Sequence, residues 1–527
     1  MSTNFTSGNI EFAFRTSKSA APEQPSDDTP FCLAVLGDFS GRSNRGLCET
    51  GAALAARRPI IVDVDNFDRL PGKLGAEIHI PVGGEEGSRI AISFAELDDF
   101  HPDSLFDKIE LFQKLKSLRR RLQDTSTFAE AAEEVRLRYA DQTATDQATA
   151  DGTGKVQAEA KPDKKSEADA DTIERLLGKP ATAKQPTHIA GKIADVDALI
   201  RDAVKPYIVP SPDPQQDELV GQIDRAISGQ MRGILHHPDF QQIEAAWRTL
   251  HFLVSNIETD ETLKLCIIDI SREELAADLA EAEAESLSQS GVYRLLVEQS
   301  VSVPGADPWA VLLGCYSFDQ TTEDITLLQK LAGVARAAGA PFLTAAHPHF
   351  AGCESFAATP DPDNWQWQPE AATAQKWHEL RTSPDAAWLG LALPRFLLRL
   401  PYGRDGESVE RFDFEELTDK TAHEKYLWGN SAVLCTYLPA QAFRVSGWSL
   451  TNALQTEVTG LPMYVYETAG EKQIVPCAEN YLTERAMQSL IDNGLIPVLS
   501  VKGRDSVLIP RFQSVSEPPS RLAGRWQ

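Results

Sequence analysis

The chain has 527 residues, 42% of them hydrophobic and 8% aromatic, which suffices for two or three domains with real cores and excludes a disordered protein. Its formal net charge of −26 excludes nonspecific nucleic-acid binding, because phosphates would be repelled. No run of about eighteen apolar residues occurs, so no membrane insertion is expected. The amino terminus shows neither the basic nor the apolar region of a signal peptide. Cys32, Cys48, Cys266, Cys315, Cys353, Cys435 and Cys477 are scattered and never form a CxxC pair, which points to a reducing, cytoplasmic location.

In chain order, NIEFAF (Asn9–Phe14) alternates Ile10, Phe12 and Phe14 with less apolar residues, the period of a strand with one apolar face. A polar, Pro-containing leash follows. A lone strand on a leash has no stability of its own, so it must pair with a sheet edge, either in its own chain or in a neighbour. Phe31–Leu36 and Arg58–Asp63 are short apolar runs. Ala76–Val82 and Arg89–Phe94 alternate around GGEEGS, which predicts a hairpin. Asp103–Leu122 is predicted as one helix, with Lys116, Arg119, Arg120 and Arg121 in its last turns, a helix-end feature and not a binding patch.

From Asp141 to Thr172 only Val156 is apolar beyond alanine, the composition of a linker, with ends on the order of 30 Å apart as a flexible coil. DTIERLLG (Asp171–Gly178) is a short helical patch carrying Ile173, Leu176 and Leu177, too short to stand alone. Ala194–Val204 is a second amphipathic piece. The strongest helical signal is Met231–Glu258, where Phe240, Ile243, Trp247, Leu250, Val254 and Ile257 line one face behind a Pro238–Asp239 start. Phe240, Trp247 and Leu250 are the expected core anchors.

Beyond it strands and helices alternate: Leu263–Ile270, Arg272–Glu283, Trp309–Tyr316, Thr322–Ala338, Pro341–Ala346, Ala387–Leu393. Such alternation predicts an α/β sheet with covering helices. A helix around His423–Cys435, a helix over Thr483–Asn493 and a closing strand pair, Leu495–Val501 with Ser506–Ile509, complete the reading. The end, SVSEPPSRLAGRWQ, is polar and expected to fray.

Catalytic patterns are missing from the chain. LGDFSGR (Leu36–Arg42) matches neither a phosphate-binding P-loop nor a dinucleotide fingerprint. His347 and His349 form an HxH after an apolar strand, yet two histidines fall short of the three ligands of a catalytic metal site, and His236–His237 only open a helix. Trp365 and Trp367 sit in a Pro/Asp-rich loop where core packing explains them as well as sugar stacking. No GxSxG elbow exists. No enzyme, cofactor or metal is therefore expected.

The long blocks carry a resemblance. LGDFSGR, RPIIVDVDNFD (Arg58–Asp68) and ELDDFHPDSLF (Glu96–Phe106) resemble the small subunit of the type VI secretion contractile sheath (TssB, VipA or ImpB). ILHHPDFQQIEAAWRTLHFLV (Ile234–Val254), the segment Cys315–Ala346, LALPRFLLRLPYGR (Leu391–Arg404) and EKYLWGNSAVL (Glu424–Leu434) resemble the large subunit (TssC, VipB or ImpC). The resemblance implies a non-enzymatic, cytoplasmic structural protein with two sheath-type α/β blocks, 31–140 and 171–515, joined by a disordered linker, 141–170. Segments 1–30 and 516–527 are then a leashed strand and a tail.

The resemblance also implies partners: separately encoded sheath subunits or further copies in a helical assembly, inner-tube or baseplate proteins, and the AAA+ recycling ATPase ClpV. Strand exchange falls to Ile10, Phe12 and Phe14, and ATPase contact to Ile173, Leu176 and Leu177. The family's large subunit continues past the point where this likeness stops, near Pro510, which suggests a specialised place at a sheath end or baseplate. The alternative is a regulatory protein that sequesters sheath subunits or the ATPase.

Overall fold

A computed structural model describes residues 25–26, 28–81, 89–139, 216–281, 284–300, 306–450 and 453–526. The predicted amino-terminal strand, the linker, the hairpin connection, the Ile173–Leu177 patch and the Ala194–Val204 piece lie outside the described residues. The chain forms two compact units, one of residues 1–78, 92–105 and 234–527, the other of 79–91 and 106–233.

The larger unit is built on a seven-stranded sheet. Its strands are β1 (Phe31–Gly37), β2 (Ile60–Val62), β5 (Leu263–Asp269), β6 (Trp309–Phe318), β7 (Phe342–Ala346), β8 (Leu389–Leu393) and β14 (Ile496–Pro497). They lie in the order β14-β8-β7-β6-β1-β5-β2. Every pairing is parallel except β2 on β5. Each residue of FCLAVLG in β1 is buried, as expected for a parallel strand covered on both faces. Its register runs from Phe31 opposite Leu263 to Gly37 opposite Asp269. The α/β class is as the alternation suggested, and the two sequence blocks share this one sheet: a strand from the first block is flanked on both sides by strands of the second.

Parallel neighbours need crossover connections, and helices supply them. Arg272–Ala280 connects β5 to β6, Thr322–Ala338 connects β6 to β7, and Ala371–Thr382 precedes β8. Thr321 caps Thr322–Ala338 by accepting from Asp324 N–H, and Gly339, in the left-handed region at φ 68°, ends it. The helix Pro238–Asn256 buries Phe240, Ile243, Trp247, Leu250 and Val254, the stripe read from the sequence. Its start differs in detail: His237 is the cap, accepting from Asp239 N–H, and Asp239 sits in the first turn.

Smaller sheets complete this unit. The pair β9 (Phe396–Leu397) with β10 (Trp428–Gly429) is antiparallel, as are the hairpin β12 (Tyr464–Thr468) with β13 (Glu471–Val475) and the triplet of β11 (Glu457–Thr459), β16 (Ser506–Leu508) and β15 (Leu499–Ser500). The hairpin β3 (Ala76–Pro81) with β4 (Arg89–Phe94) forms as expected.

Three expectations are corrected. The predicted helix around His423–Cys435 is a short turn at His423–Lys425, then β10, and only from Ala432 a helix, to Ser446. Trp428 is drawn into β10 by packing beside Leu397, Tyr426 and Tyr464, and Asn430 Oδ1 accepts from Ala432 N–H to start the helix afresh. The predicted helix Asp103–Leu122 is two, Pro102–Lys108 and Glu110–Gln123, broken where Ile109 is extended. Gln113 Nε2 donates to the carbonyls of Phe106 and Asp107 that the break leaves open. The tail does not fray: Val515 and Leu522 are buried, Val515 N–H donates to Leu389 O, and Arg525 donates to the carbonyls of Trp309 and Ala338.

The smaller unit holds the helices Glu110–Gln123 and Phe128–Tyr139 and most of Gln216–Leu235. Phe112, Leu115, Leu118 and Leu122 are buried. The basic residues at the first helix's end pair within the unit, Arg119 with Asp224 at 2.5 Å and Arg121 with Glu134 at 2.5 Å.

Candidate functional site

In an open parallel sheet, side chains gather where the strands end at their carboxyl edge. Here Asp38 follows β1, Asp269 ends β5, Asp319 follows β6, His347 follows β7 and Arg395 lies just past β8. All belong to the larger unit.

The LGDFSGR loop is held by two of these carboxylates. Asp38 accepts from the backbone N–H groups of Arg42 and Ser43 at 2.7 and 2.9 Å. Asp269 accepts from Phe39 N–H at 2.8 Å, Ser40 N–H at 3.1 Å and Ser40 Oγ at 2.6 Å. Gly41 sits at φ 75°, where a Cβ would lie 2.2 Å from the carbonyl of Glu77. The loop's donors are thus satisfied by protein carboxylates, the reverse of a phosphate cradle. Burial raises both Asp38 and Asp269 above the usual carboxylate range.

Beside the loop, Glu274 joins the two sequence blocks. It closes a capping box with Ser271 and lies 2.5 Å from Arg57 and 2.9 Å from Arg42. Burial alone would raise its carboxyl, but the bonds from Arg57 and Arg42 hold it at about 2. A second network is buried except at Arg248, whose side chain is partly exposed. Arg399 donates to Glu244 at 2.8 Å and to Glu416 at 2.7 Å, and its guanidinium lies 4.1 Å from the Tyr402 ring centroid. Arg248 reaches Glu244 at 2.7 Å and Tyr402 Oη at 2.9 Å. Burial works against the charge on Glu244, yet the two arginines keep its carboxyl below the usual range.

Among the residues singled out from sequence, Phe240, Trp247 and Leu250 are fully buried. Trp247 meets Phe39 and Phe67 edge-on, and Phe240 meets Phe94 and Phe100. The core anchors therefore pack on residues of the first block. His347 and His349 come together with Asp319, which sequence reasoning did not connect to them. Trp367 stacks on His349, and Trp365 donates to Thr359 O. Burial raises the thiols of Cys32 and Cys315 to about 12 and of Cys266 and Cys477 to about 11, which suits none of them as a nucleophile. Ile10, Phe12, Phe14, Ile173, Leu176 and Leu177 lie outside the described residues.

Exposed apolar side chains mark possible assembly surfaces. Ile61 is 56% exposed on β2, which ends the sheet order, and Val64 follows at 69%. Val465 and Ile474, opposite one another in β12 and β13, are 40% and 43% exposed. The hairpin was missed from sequence, although YVYET and EKQIV around Ala469–Gly470 carry its alternation and turn. No helix among the described residues is long and apolar enough to cross a membrane.

Comparison with known proteins assigns the chain. Residues 217–516 match the family model described as EvpB/VC_A0108, tail sheath N-terminal domain, and residues 9–149 match the type VI secretion system family described as VipA, VC_A0107 or Hcp2. The type VI secretion system sheath protein TssC1 of Pseudomonas aeruginosa is 35% identical over 306 residues, covering 57% of this chain and 61% of that protein. The sheath protein TssB1 of the same organism is 33% identical over 103 residues, covering 19% of this chain and 58% of that protein. The chain thus spans about three fifths of the length of each relative. With a VipA-like portion followed in one polypeptide by a VipB-like portion, and with strands of both in a single sheet, this protein belongs to the type VI secretion tail-sheath family.

Proposed function

We infer that this chain is a structural component of a type VI secretion contractile sheath, working through surface pairing and not through catalysis. The observation that carries this reading is the sheet: β1 and β2, from the VipA-like portion, complete a sheet whose other strands come from the VipB-like portion. One polypeptide supplies what the two relatives supply as separate proteins. Fusion raises the effective concentration of one portion for the other.

Within that role the chain donates Ile10, Phe12 and Phe14 to the sheet edge of a neighbour and occupies a sheath end or baseplate-proximal position. The alternating apolar face on a polar leash supports donation, because such a strand needs an edge to pair with. The exposed Ile61 and the Val465–Ile474 pair support contact with sheath subunits or further copies. Ile173, Leu176 and Leu177 are the contacts offered to a AAA+ recycling ATPase.

Deletion of residues 1–20 tests the exchange. Co-purification with separately encoded small and large sheath subunits is expected to be lost, and undiminished binding would sink the exchange model. Electron microscopy of the mixture then places the protein: labelled tube ends support the end position, and labelling along the tube overturns it. Absence from isolated sheaths, with binding only to unassembled subunits, would replace the structural role by sequestration.

A further inference from the structure

We propose that Asp319, His347 and His349 form a binding site for a divalent transition-metal ion of the zinc class at the carboxyl edge of the sheet. The fold brings them together through register. Phe318 and Ala346 are partners at the ends of the adjacent parallel strands β6 and β7, so the next residues, Asp319 and His347, emerge side by side. His347 then opens the turn Pro348–Ala351, which carries His349 back over the same point.

His349 Nδ1 lies 2.7 Å and His347 Nδ1 3.5 Å from Asp319 Oδ1, and the three ligand atoms all fall within 4.8 Å of one another. Ligand atoms about a tetrahedral ion with bonds of ~2.0–2.2 Å stand roughly 3.3 Å apart, so small rotations of Asp319 and His347, the two more exposed side chains, close the set.

The His347 Nδ1 atom accepts from His349 N–H at 3.3 Å, so it carries a lone pair, and this long bond opens when the nitrogen turns to an ion. The His349 ring lies between two carboxylates, Asp319 at 2.7 Å and Glu354 at 3.4 Å from Nε2. Gln320 N–H, 2.6 Å from Asp319 Oδ1, orients that carboxylate. A histidine whose far nitrogen donates to a carboxylate, as His349 Nε2 is placed to do to Glu354, is the usual outer support of a metal ligand. Trp367, stacked on His349 at 3.9 Å and 6°, fixes the ring plane. Two imidazoles and a carboxylate suit zinc, cobalt or nickel over calcium or magnesium. With three protein ligands, at least one position stays open for water or a group from a neighbouring copy.

The test uses the full chain, stripped with a chelator, dialysed against zinc chloride alone and analysed by elemental mass spectrometry, with cobalt absorption as a second probe. About one zinc per chain is expected. Asp319→Asn or His349→Ala abolishes it, Glu354→Gln weakens it roughly 10- to 100-fold, and Cys48→Ser leaves it intact. Circular dichroism of the metal-free variants checks folding; should Asp319→Asn fail it, His347→Ala at the exposed ligand replaces it. The proposal is overturned if zinc is not bound stoichiometrically or if stoichiometry survives loss of both histidines. It is also overturned if nitrogen NMR finds His349 doubly protonated in the presence of zinc.

Discussion

The indole Nε1 of Trp247 donates a 2.9 Å hydrogen bond to the backbone carbonyl of Phe39, 208 residues away in sequence and in the other sequence block. One side chain thus joins the helix Pro238–Asn256 to the loop that follows β1. Trp247→Ala removes a fully buried ring together with that bond and is expected to cost about 3–5 kcal/mol. Trp247→Phe keeps most of the packing and loses the donor, for about 1–3 kcal/mol. The midpoints of urea unfolding should fall in that order.

Glu274 gives the fold an acid limit. Its carboxyl is held at about 2 in the folded chain against an ordinary value of 4.5. A depressed carboxylate stabilises the fold fully above its unfolded pKa, and that contribution is lost as pH falls from about 5 toward 2. The shift corresponds to roughly 3 kcal/mol. Thermal melts across this range should show the wild type losing stability toward acid. Glu274→Gln should be less stable at neutral pH and flatter below pH 5.

Arg399 is the test of the buried network. Replacing it by Met leaves Glu416 without its guanidinium and Glu244 with Arg248 alone, both carboxylates essentially without solvent, and is expected to cost about 3–5 kcal/mol. Adding Glu416→Gln to that variant should recover part of the loss, because the carboxylate that has lost its guanidinium is neutralised. A double-mutant cycle measured by denaturant unfolding reads the coupling, and additive losses would contradict it.

The carboxyl-terminal segment should behave as core. Leu522 is 1% exposed, so Leu522→Ala is expected to cost about 2–5 kcal/mol. A frayed tail would tolerate the change within about 0.5 kcal/mol, and a thermal melt separates the two.

What was legible in the sequence is what local pattern decides. Strands β1, β5, β6, β7 and β8 are apolar runs that need no knowledge of their neighbours, and the stripe around Trp247 repeats at helical spacing over five turns. What was not legible depends on distant partners. Trp428 reads as helical until Leu397 and Tyr464 draw it into a strand pair, and Leu522 and Arg525 read as solvated until β6 and β8 are in place. Likewise HxH signals two ligands at most, while the third group, Asp319, is 30 residues away from His349 and reaches it through the β6–β7 register.

The central place of β1 also sets an order of events during synthesis. Phe39 and Asp269, at the ends of β1 and β5, are 230 residues apart, so at about 5–20 residues per second the ribosome needs roughly ten to fifty seconds between them. For that interval FCLAVLG is an apolar segment without its flanking strands, and the sheet cannot close until both β5 and β6 have emerged. High contact order of this kind slows folding and leaves strand edges open to other chains. In a pair of separate subunits the waiting strand must find its partner by diffusion. Here the partner arrives on the same thread, and the delay is a length of chain, not a concentration.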